Sequence, residues 1–237
     1  ITPNEAHDWL NQRDDLFNSF IQLGTKEDKG AKTFFVPLYS CGVKTQRDTW
    51  CYNFSQNVLV DNMQRTIEFY NKHIGCKPEY SSTHISWTRA TLNNHSKGRK
   101  SSFLTSNICT ALYRPFCKQN LYFDRTWNEM VYQIPKLFPT PQTKNLVICV
   151  PGIGAKKGFS ALMVDCIPDV QLQYNGQCFP LYHYEKVERE QLGLFDKPEG
   201  DYVRHDGISD FILQRAREQY GPKCTKADVF YYIYGLL

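Results

Sequence analysis

The chain has 237 residues, 41% of them hydrophobic and 22% charged, with a formal net charge of +4 and nine cysteines. That is enough sequence for one large domain or two small ones with a real core, in the ordinary composition of a soluble globular protein. No apolar run approaches the about 20 residues that cross a membrane, and an odd number of cysteines with no CxxC pair argues for the reduced thiols of a cytoplasmic protein rather than a disulfide framework.

A first helix is predicted over residues 2–23. Thr2 can cap it, Pro3 fits its first position and Glu5 completes a capping box, before Trp9, Leu10, Arg13, Leu16, Phe17, Phe20 and Ile21 follow helical spacing up to Gly24. Residues 25–32 read as a loop, and residues 34–39 and 50–54 as strands, with Pro37 marking an edge or bulge. Ser55 caps a second helix whose apolar stripe is Leu59, Met63, Ile67, Tyr70 and Ile74; Gly75 and Pro78 end it. Residues 85–92 read as strand-like, 93–102 as a polar basic loop, and 108–113 and 120–123 as short strands around Arg114-Pro115. From Leu137 the pattern turns to β, with runs at 146–150, 160–164, 170–174 and 178–184 and a hairpin signal at Asn175-Gly176. Residues 185–205 are acidic and loop-like. A helix over 208–220 closes at Gly221-Pro222, and the Thr225–Asp228 capping box opens a last helix through Leu237. The predicted class is α+β: a mainly antiparallel β-sheet core framed by N-terminal, middle and C-terminal helices. It divides into a helical lead-in (1–24), a β-rich domain (25–205) and C-terminal helices (206–237).

Charge is unevenly placed. Between Glu79 and Asp124 there is no acidic residue, while Arg89, Lys97, Arg99, Lys100, Arg114 and Lys118 alternate with Tyr80, Trp87, Phe103, Tyr113, Phe116, Tyr122 and Phe123. Cations without nearby carboxylates are available to a polyanion such as nucleic acid; the competing reading is an aromatic core with a chance gap in the acids. The loop 42–48 offers Lys44, Thr45, Gln46 and Arg47, donors and acceptors of the kind that major-groove base edges take, or else an ordinary solvated turn with Arg47 paired to Asp48.

Catalytic patterns are not found. The turn Pro151-Gly152-Ile153-Gly154-Ala155-Lys156-Lys157-Gly158 fits neither a Walker loop nor a dinucleotide fingerprint, because no glycine precedes either lysine and position 157 is lysine. Lys156 and Lys157 there could still touch a phosphate. The six histidines are scattered, no Gly-x-Ser-x-Gly elbow occurs, and His73 with Cys76 lacks the second pair that a zinc site needs. No catalytic residue, metal or cofactor is expected within this chain.

Six stretches, in order and spacing, resemble one family. They are Trp9-Leu10-Asn11-Gln12-Arg13, the run 42–50 with Tyr52-Asn53-Phe54-Ser55, Ile85-Ser86-Trp87-Thr88-Arg89, Tyr113-Arg114-Pro115-Phe116, Leu121-Tyr122-Phe123-Asp124-Arg125 and Tyr231-Tyr232-Ile233-Tyr234. The chain resembles the C-terminal specificity region of type ISP restriction–modification enzymes, single-chain ATP-dependent bacterial proteins. The resemblance implies a piece of a longer polypeptide, as do the absence of an initial Met and the end at Leu237 within a helical pattern. It implies an upstream nuclease, helicase-like motor and adenine-N6 methyltransferase, which would use Mg, ATP and S-adenosylmethionine and contact this region intramolecularly. It further implies that this region binds double-stranded DNA and presents one adenine for flipping. Lys44, Thr45, Gln46 and Arg47 then become the expected DNA-facing loop. Arg89, Arg114 and Arg125 take a phosphate or scaffold role first, and Lys97, Arg99 and Lys100 a phosphate role. For Arg114 a structural role and a DNA contact stay equally open, because Cys117 stands where the pattern has an acidic neighbour. The alternative to sequence reading is a domain that couples methyltransferase to motor.

Overall fold

The structure, a computed structural model, describes residues 2, 7, 16, 19–28, 30–81, 83–152, 155, 156, 158–187, 198, 199 and 201–237. The expected first helix falls mostly outside the described residues, as does Lys157.

The fold is α+β, with two four-stranded sheets at its centre. In the first, β1 (Ser40–Cys41), β8 (Gln177–Pro180), β5 (Val147–Val150) and β6 (Leu162–Val164) lie in that order, all antiparallel. The second runs β2 (Tyr52–Asn53), β4 (Cys117–Tyr122), β3 (Ile108–Arg114), β7 (Ile167–Pro168), antiparallel except for the β3–β7 pair. A smaller sheet orders β10 (Pro198–Glu199), β11 (Tyr202–Asp206) and β9 (Tyr182–Lys186).

The first sheet is covered on both faces, and the side-chain alternation of a strand shows how. Val147 and Cys149 of β5, with Cys178 of β8, enter one core alongside Leu59, Met63, Ile67 and Tyr70 of α2 (Gln56–Lys72). Ile148 and Val150, with Phe179, enter a second core against Ile212 of α5 (Asp210–Tyr220) and Val229, Phe230 and Ile233 of α6 (Lys226–Leu236). This is why residues 147–150 read as a continuous apolar run. The predicted caps are present: the Ser55 hydroxyl accepts from Val58 N–H, and Thr225 with Asp228 forms a full capping box. Among the described residues no helix is long and apolar enough to cross a membrane.

Several local expectations are corrected. Residues 85–102 do not divide into strand and loop, because α3 spans Arg89–Ser96. Its start is a Thr88–Thr91 capping box, hidden behind the β-forming Ile85 and Trp87. Residues 34–39 contribute a single bridge, Phe35 to Ile208, in place of a strand. Residues 50–54 split into the end of a one-turn helix α1 (Asp48–Cys51) and the short β2. Residues 170–174 form a turn, so Asn175-Gly176 leads into β8 without closing a two-strand hairpin. The acidic region holds β-structure at 185–186 and 202–205, while residues 188–197 lie outside the described set.

Candidate functional site

One end of the two central sheets is built from residues 42–48, 113–117, 130–132, 151–152, 155–156, 158–160 and 169–176. The loop 42–48 leaves β1 next to the backbone of Asp169: a Cβ on Gly42 would stand 2.5 Å from the Asp169 carbonyl oxygen. Val43 N–H donates to Pro168 O at 2.8 Å, and Val170 N–H donates back to Val43 O at 2.8 Å. Lys44 and Met130 exchange two backbone bonds of 2.9 Å. A loop held on both flanks turns sharply, and Gln46 takes the left-handed conformation, with φ of 55°, and stands exposed at the tip.

The neighbours of Gln46 point inward. Thr45 is 1% exposed and its hydroxyl donates to Asp48 Oδ1. Arg47 is 3% exposed. Its Nη1 donates to the carbonyls of Trp127 at 2.7 Å and Thr126 at 3.4 Å, its Nη2 to the hydroxyls of Thr88 at 2.8 Å and Thr91 at 3.4 Å. The guanidinium also faces the Trp127 ring, 5.5 Å from its centroid. These four acceptors, and not Asp48 as in the competing solvated-turn reading, hold Arg47; with both Nη groups engaged inside the protein and Nε buried without a partner, the guanidinium does not face outward as expected.

Beside the loop lies a charged network. Arg114 Nη1 meets Asp169 Oδ1 at 2.8 Å, Nη2 lies 3.6 Å from Asp48 Oδ2, and the guanidinium sits 3.9 Å above the Tyr113 ring. Tyr113 donates to Asp48 and Tyr52 to Asp169, each at 3.1 Å. Burial pushes the Asp169 carboxyl up to about 6 despite the adjacent guanidinium. Arg114, without an acidic neighbour in sequence, thus finds two carboxylates from distant segments.

The same end gathers strained backbone. Six non-glycine residues among those described have positive φ, and Gln46, Phe116, Tyr132, Tyr174 and Asn175 all belong to these segments. Such positions cost energy and persist where surrounding contacts over-determine them, which is common at binding sites. Phe116 is 90% exposed at the tip of the β3–β4 turn. Gly152 N–H joins this end by donating to Tyr174 O at 3.3 Å, Ala155 N–H donates back to Gly152 O at 3.1 Å, and Lys156 and Phe159 are exposed. Of the predicted residues, Lys44, Gln46, Arg114 and Lys156 therefore share this rim.

The remaining predicted cations lie farther along. Arg89 is exposed in the first turn of α3, one residue from Thr88, and Arg125 is exposed one residue from Thr126. Lys97, Arg99 and Lys100 are exposed past the end of α3, where Tyr70 Oη donates to Arg99 O at 2.7 Å and the Asn71 side chain pairs with Ser101. Among the described residues Lys44, Gln46, Arg89, Lys97, Lys100, Arg125 and Lys156 make no side-chain hydrogen bond or ion pair. Their donors are open to an outside ligand. Lys118 of the acid-free stretch is engaged by Asp165 at 2.8 Å. Sequence reasoning missed Asp169 and the 169–176 turn, and singled out Phe116 only as one aromatic of the acid-free stretch and of a family motif. Only Asn175-Gly176 signalled that turn, and it was assigned to a hairpin. Among the described residues no group of three His, Cys, Asp or Glu side chains is arranged to hold a metal.

Residues 34–237 match the model of the Type ISP C-terminal specificity domain. The chain superposes on the ATP-dependent Type ISP restriction-modification enzyme LlaBIII bound to DNA, with TM-score 0.83 and 33% identity, covering 100% of this chain and 15% of that one. It is also similar to DrdV in its DNA complex, with TM-score 0.84, 29% identity and coverage of 99% and 23%. A nuclease-deletion mutant of the Type ISP enzyme LlaGI with a DNA substrate mimic gives TM-score 0.76, 27% identity and coverage of 99% and 21%. The chain thus spans under a quarter of each of these proteins. No curated protein sequence matches.

Proposed function

Because this chain belongs to the Type ISP C-terminal specificity domain family, we propose that it recognises a sequence in double-stranded DNA through the rim around Gln46. The observation that carries this reading is the geometry of residues 42–48: backbone bonds to two segments hold the loop while Gln46, and two residues before it Lys44, present unengaged polar groups. Glutamine can pair bidentately with adenine N6 and N7, and lysine with guanine O6 and N7. Arg89, Lys97, Arg99, Lys100, Arg125, Lys156 and Lys157 supply phosphate contacts, which set position and salt dependence without reading sequence. Thr45, Arg47 and Arg114 hold the loop. That LlaBIII and DrdV are seen with DNA, and LlaGI with a DNA substrate mimic, supports DNA as the ligand. In the parent chain, methyl transfer and ATP-dependent cleavage, with S-adenosylmethionine, ATP and Mg, would belong to other domains that this one serves by placing the target adenine.

The test is duplex binding by the full chain across a salt series. Charge reversal at Lys97, Arg99 and Lys100 should weaken all sequences alike and flatten the slope of log K against log salt. Gln46→Ala should instead change preference among sequences, by about 1–3 kcal/mol at a contacted base. A wild type with no salt slope would defeat the reading. The second reading, a coupling domain, is favoured by the α5–α6 surface, where Tyr220, Tyr231, Tyr232 and Leu236 are each at least half exposed. It predicts that Gln46→Ala leaves sequence preference untouched.

A further inference from the structure

We infer that Arg47 is a positioning residue for specificity, a buried strut that fixes Gln46 relative to the phosphate-binding arginines. The inference rests on the proposed DNA reading and assigns a role within it. One guanidinium, carried by the loop 42–48, grips two other segments far away in sequence and so joins three. Trp127 O and Thr126 O lie 80 and 79 residues away, and the Thr88 and Thr91 hydroxyls 41 and 44 residues away. Each segment carries an exposed polar residue next to the gripped one: Gln46 beside Arg47, Arg89 beside Thr88, Arg125 beside Thr126.

The grip on α3 is at its cap. Thr88 Oγ1 accepts from Thr91 N–H and from Arg47 Nη2, so the bonds that start the helix also tie it to the loop. On the loop side, Gln46 at φ 55° and Arg47 at φ −151° share a peptide plane. A left-handed glutamine is costly and needs neighbours to hold it. Arginine suits this place because its planar fork holds two nitrogens in fixed directions, Nη1 toward the 126–127 carbonyls and Nη2 toward the Thr88 and Thr91 hydroxyls, whereas the three donors of lysine radiate from a single nitrogen.

Loosening this strut should separate two kinds of contact. A base contact demands placement within about 0.5 Å, whereas a cation near a phosphate loses little attraction on a shift of that size. Arg47→Lys should therefore reduce discrimination while leaving the number of phosphates neutralised, and so the salt slope, unchanged.

The experiment selects a randomised 30-base-pair duplex library with the full chain and measures enrichment and the salt slope. Arg47→Lys should lower the preference for the enriched sequence by roughly tenfold to a hundredfold, the scale of one lost base contact, at an unaltered salt slope. Gln46→Ala should do the same, and the double variant should be no worse than either single one. Should Arg47→Lys fail to fold, Thr88→Val and Thr88→Ser carry the test from the far end: valine should lower the preference and serine, which keeps the hydroxyl, should retain it. Unchanged preference in Arg47→Lys, or losses that add to those of Gln46→Ala, would overturn the inference alone. A wild type that enriches no sequence would overturn the DNA reading from which it starts.

Discussion

Arg114 and Asp169, 55 residues apart, meet at 2.8 Å with the carboxylate 3% exposed and the guanidinium 37% exposed. Asp169 also accepts from Tyr52 Oη and Gln171 N–H, so it joins the second sheet to the turn that holds the loop 42–48. Asp169→Asn keeps the volume and removes the charge that faces Arg114. Because Arg114 retains Asp48, and because burial already disfavours the Asp169 charge and so offsets part of the lost pairing, the net cost at neutral pH is expected to be about 1 kcal/mol. Urea denaturation should show a lower midpoint at an unchanged m-value.

The same carboxylate sets a pH response. Burial pushes Asp169 from 3.8 up to about 6, so between these values the folded chain keeps a proton that the unfolded chain has lost. Its contribution favours the fold at low pH and is lost as pH rises through that window. His183 acts oppositely: burial, with His205 and Lys136 adding to it, pushes it from 6.5 down to about 4, so the unfolded chain binds a proton that the fold refuses. That contribution is lost as pH falls from 6.5 towards 4. The two slopes oppose each other in the wild type. Asp169→Asn should make stability rise more steeply with pH across this range, and His183→Gln should make it rise less or fall. Urea midpoints at several pH values across the window would show parallel curves if either group is misassigned.

Much of this fold was legible where one local rule acted alone. The α2 stripe Leu59, Met63, Ile67 and Tyr70 and the Thr225 box follow from spacing and capping, and both occur as read. Legibility ended where tertiary contacts overrode pattern. Thr88 to Leu92 carries β-forming neighbours, yet the hydroxyls of Thr88 and Thr91 cap each other and a helix follows. Loop 42–48 was recognisable as a feature, but its inside and outside were not. Gln46 and Arg47 are adjacent polar residues, and only the acceptors on Thr88, Thr91, Thr126 and Trp127 decide which of them is buried.

Gly42 supplies a steric test of the loop. A methyl group there would lie 2.5 Å from Asp169 O, 2.6 Å from Asp169 C and 2.7 Å from Val170 N, all backbone atoms with little room to yield. Gly42→Ala should therefore destabilise by about 1–3 kcal/mol, the usual cost of overpacking. It should also displace the 169–176 turn against which the loop is laid. Backbone amide exchange at Val43 and Val170, which donate across this contact, should accelerate in the variant. Exchange at Val58 in the first turn of α2 should not. Equal acceleration at both places would mean global destabilisation without a local breach.

The cysteines report on the strut from inside. Cys76 is exposed, Cys41, Cys117 and Cys224 are half-buried, and Cys51, Cys109, Cys149, Cys166 and Cys178 are buried. Burial pushes the thiols of Cys51, Cys109 and Cys166 up to about 12, which suppresses the thiolate that alkylating reagents need. Under native conditions iodoacetamide should label Cys76 first, the half-buried thiols more slowly, and the five buried ones only through unfolding. Cys51 is the informative member, because its Sγ lies 3.5 Å from Trp127 O, the carbonyl that Arg47 also grips at 2.7 Å. If Arg47 closes this corner, Arg47→Lys should raise Cys51 labelling in native protein while Cys109 and Cys166 stay protected. Peptide mass mapping separates the two cases, and simultaneous labelling of all three would mark a loss of the whole core.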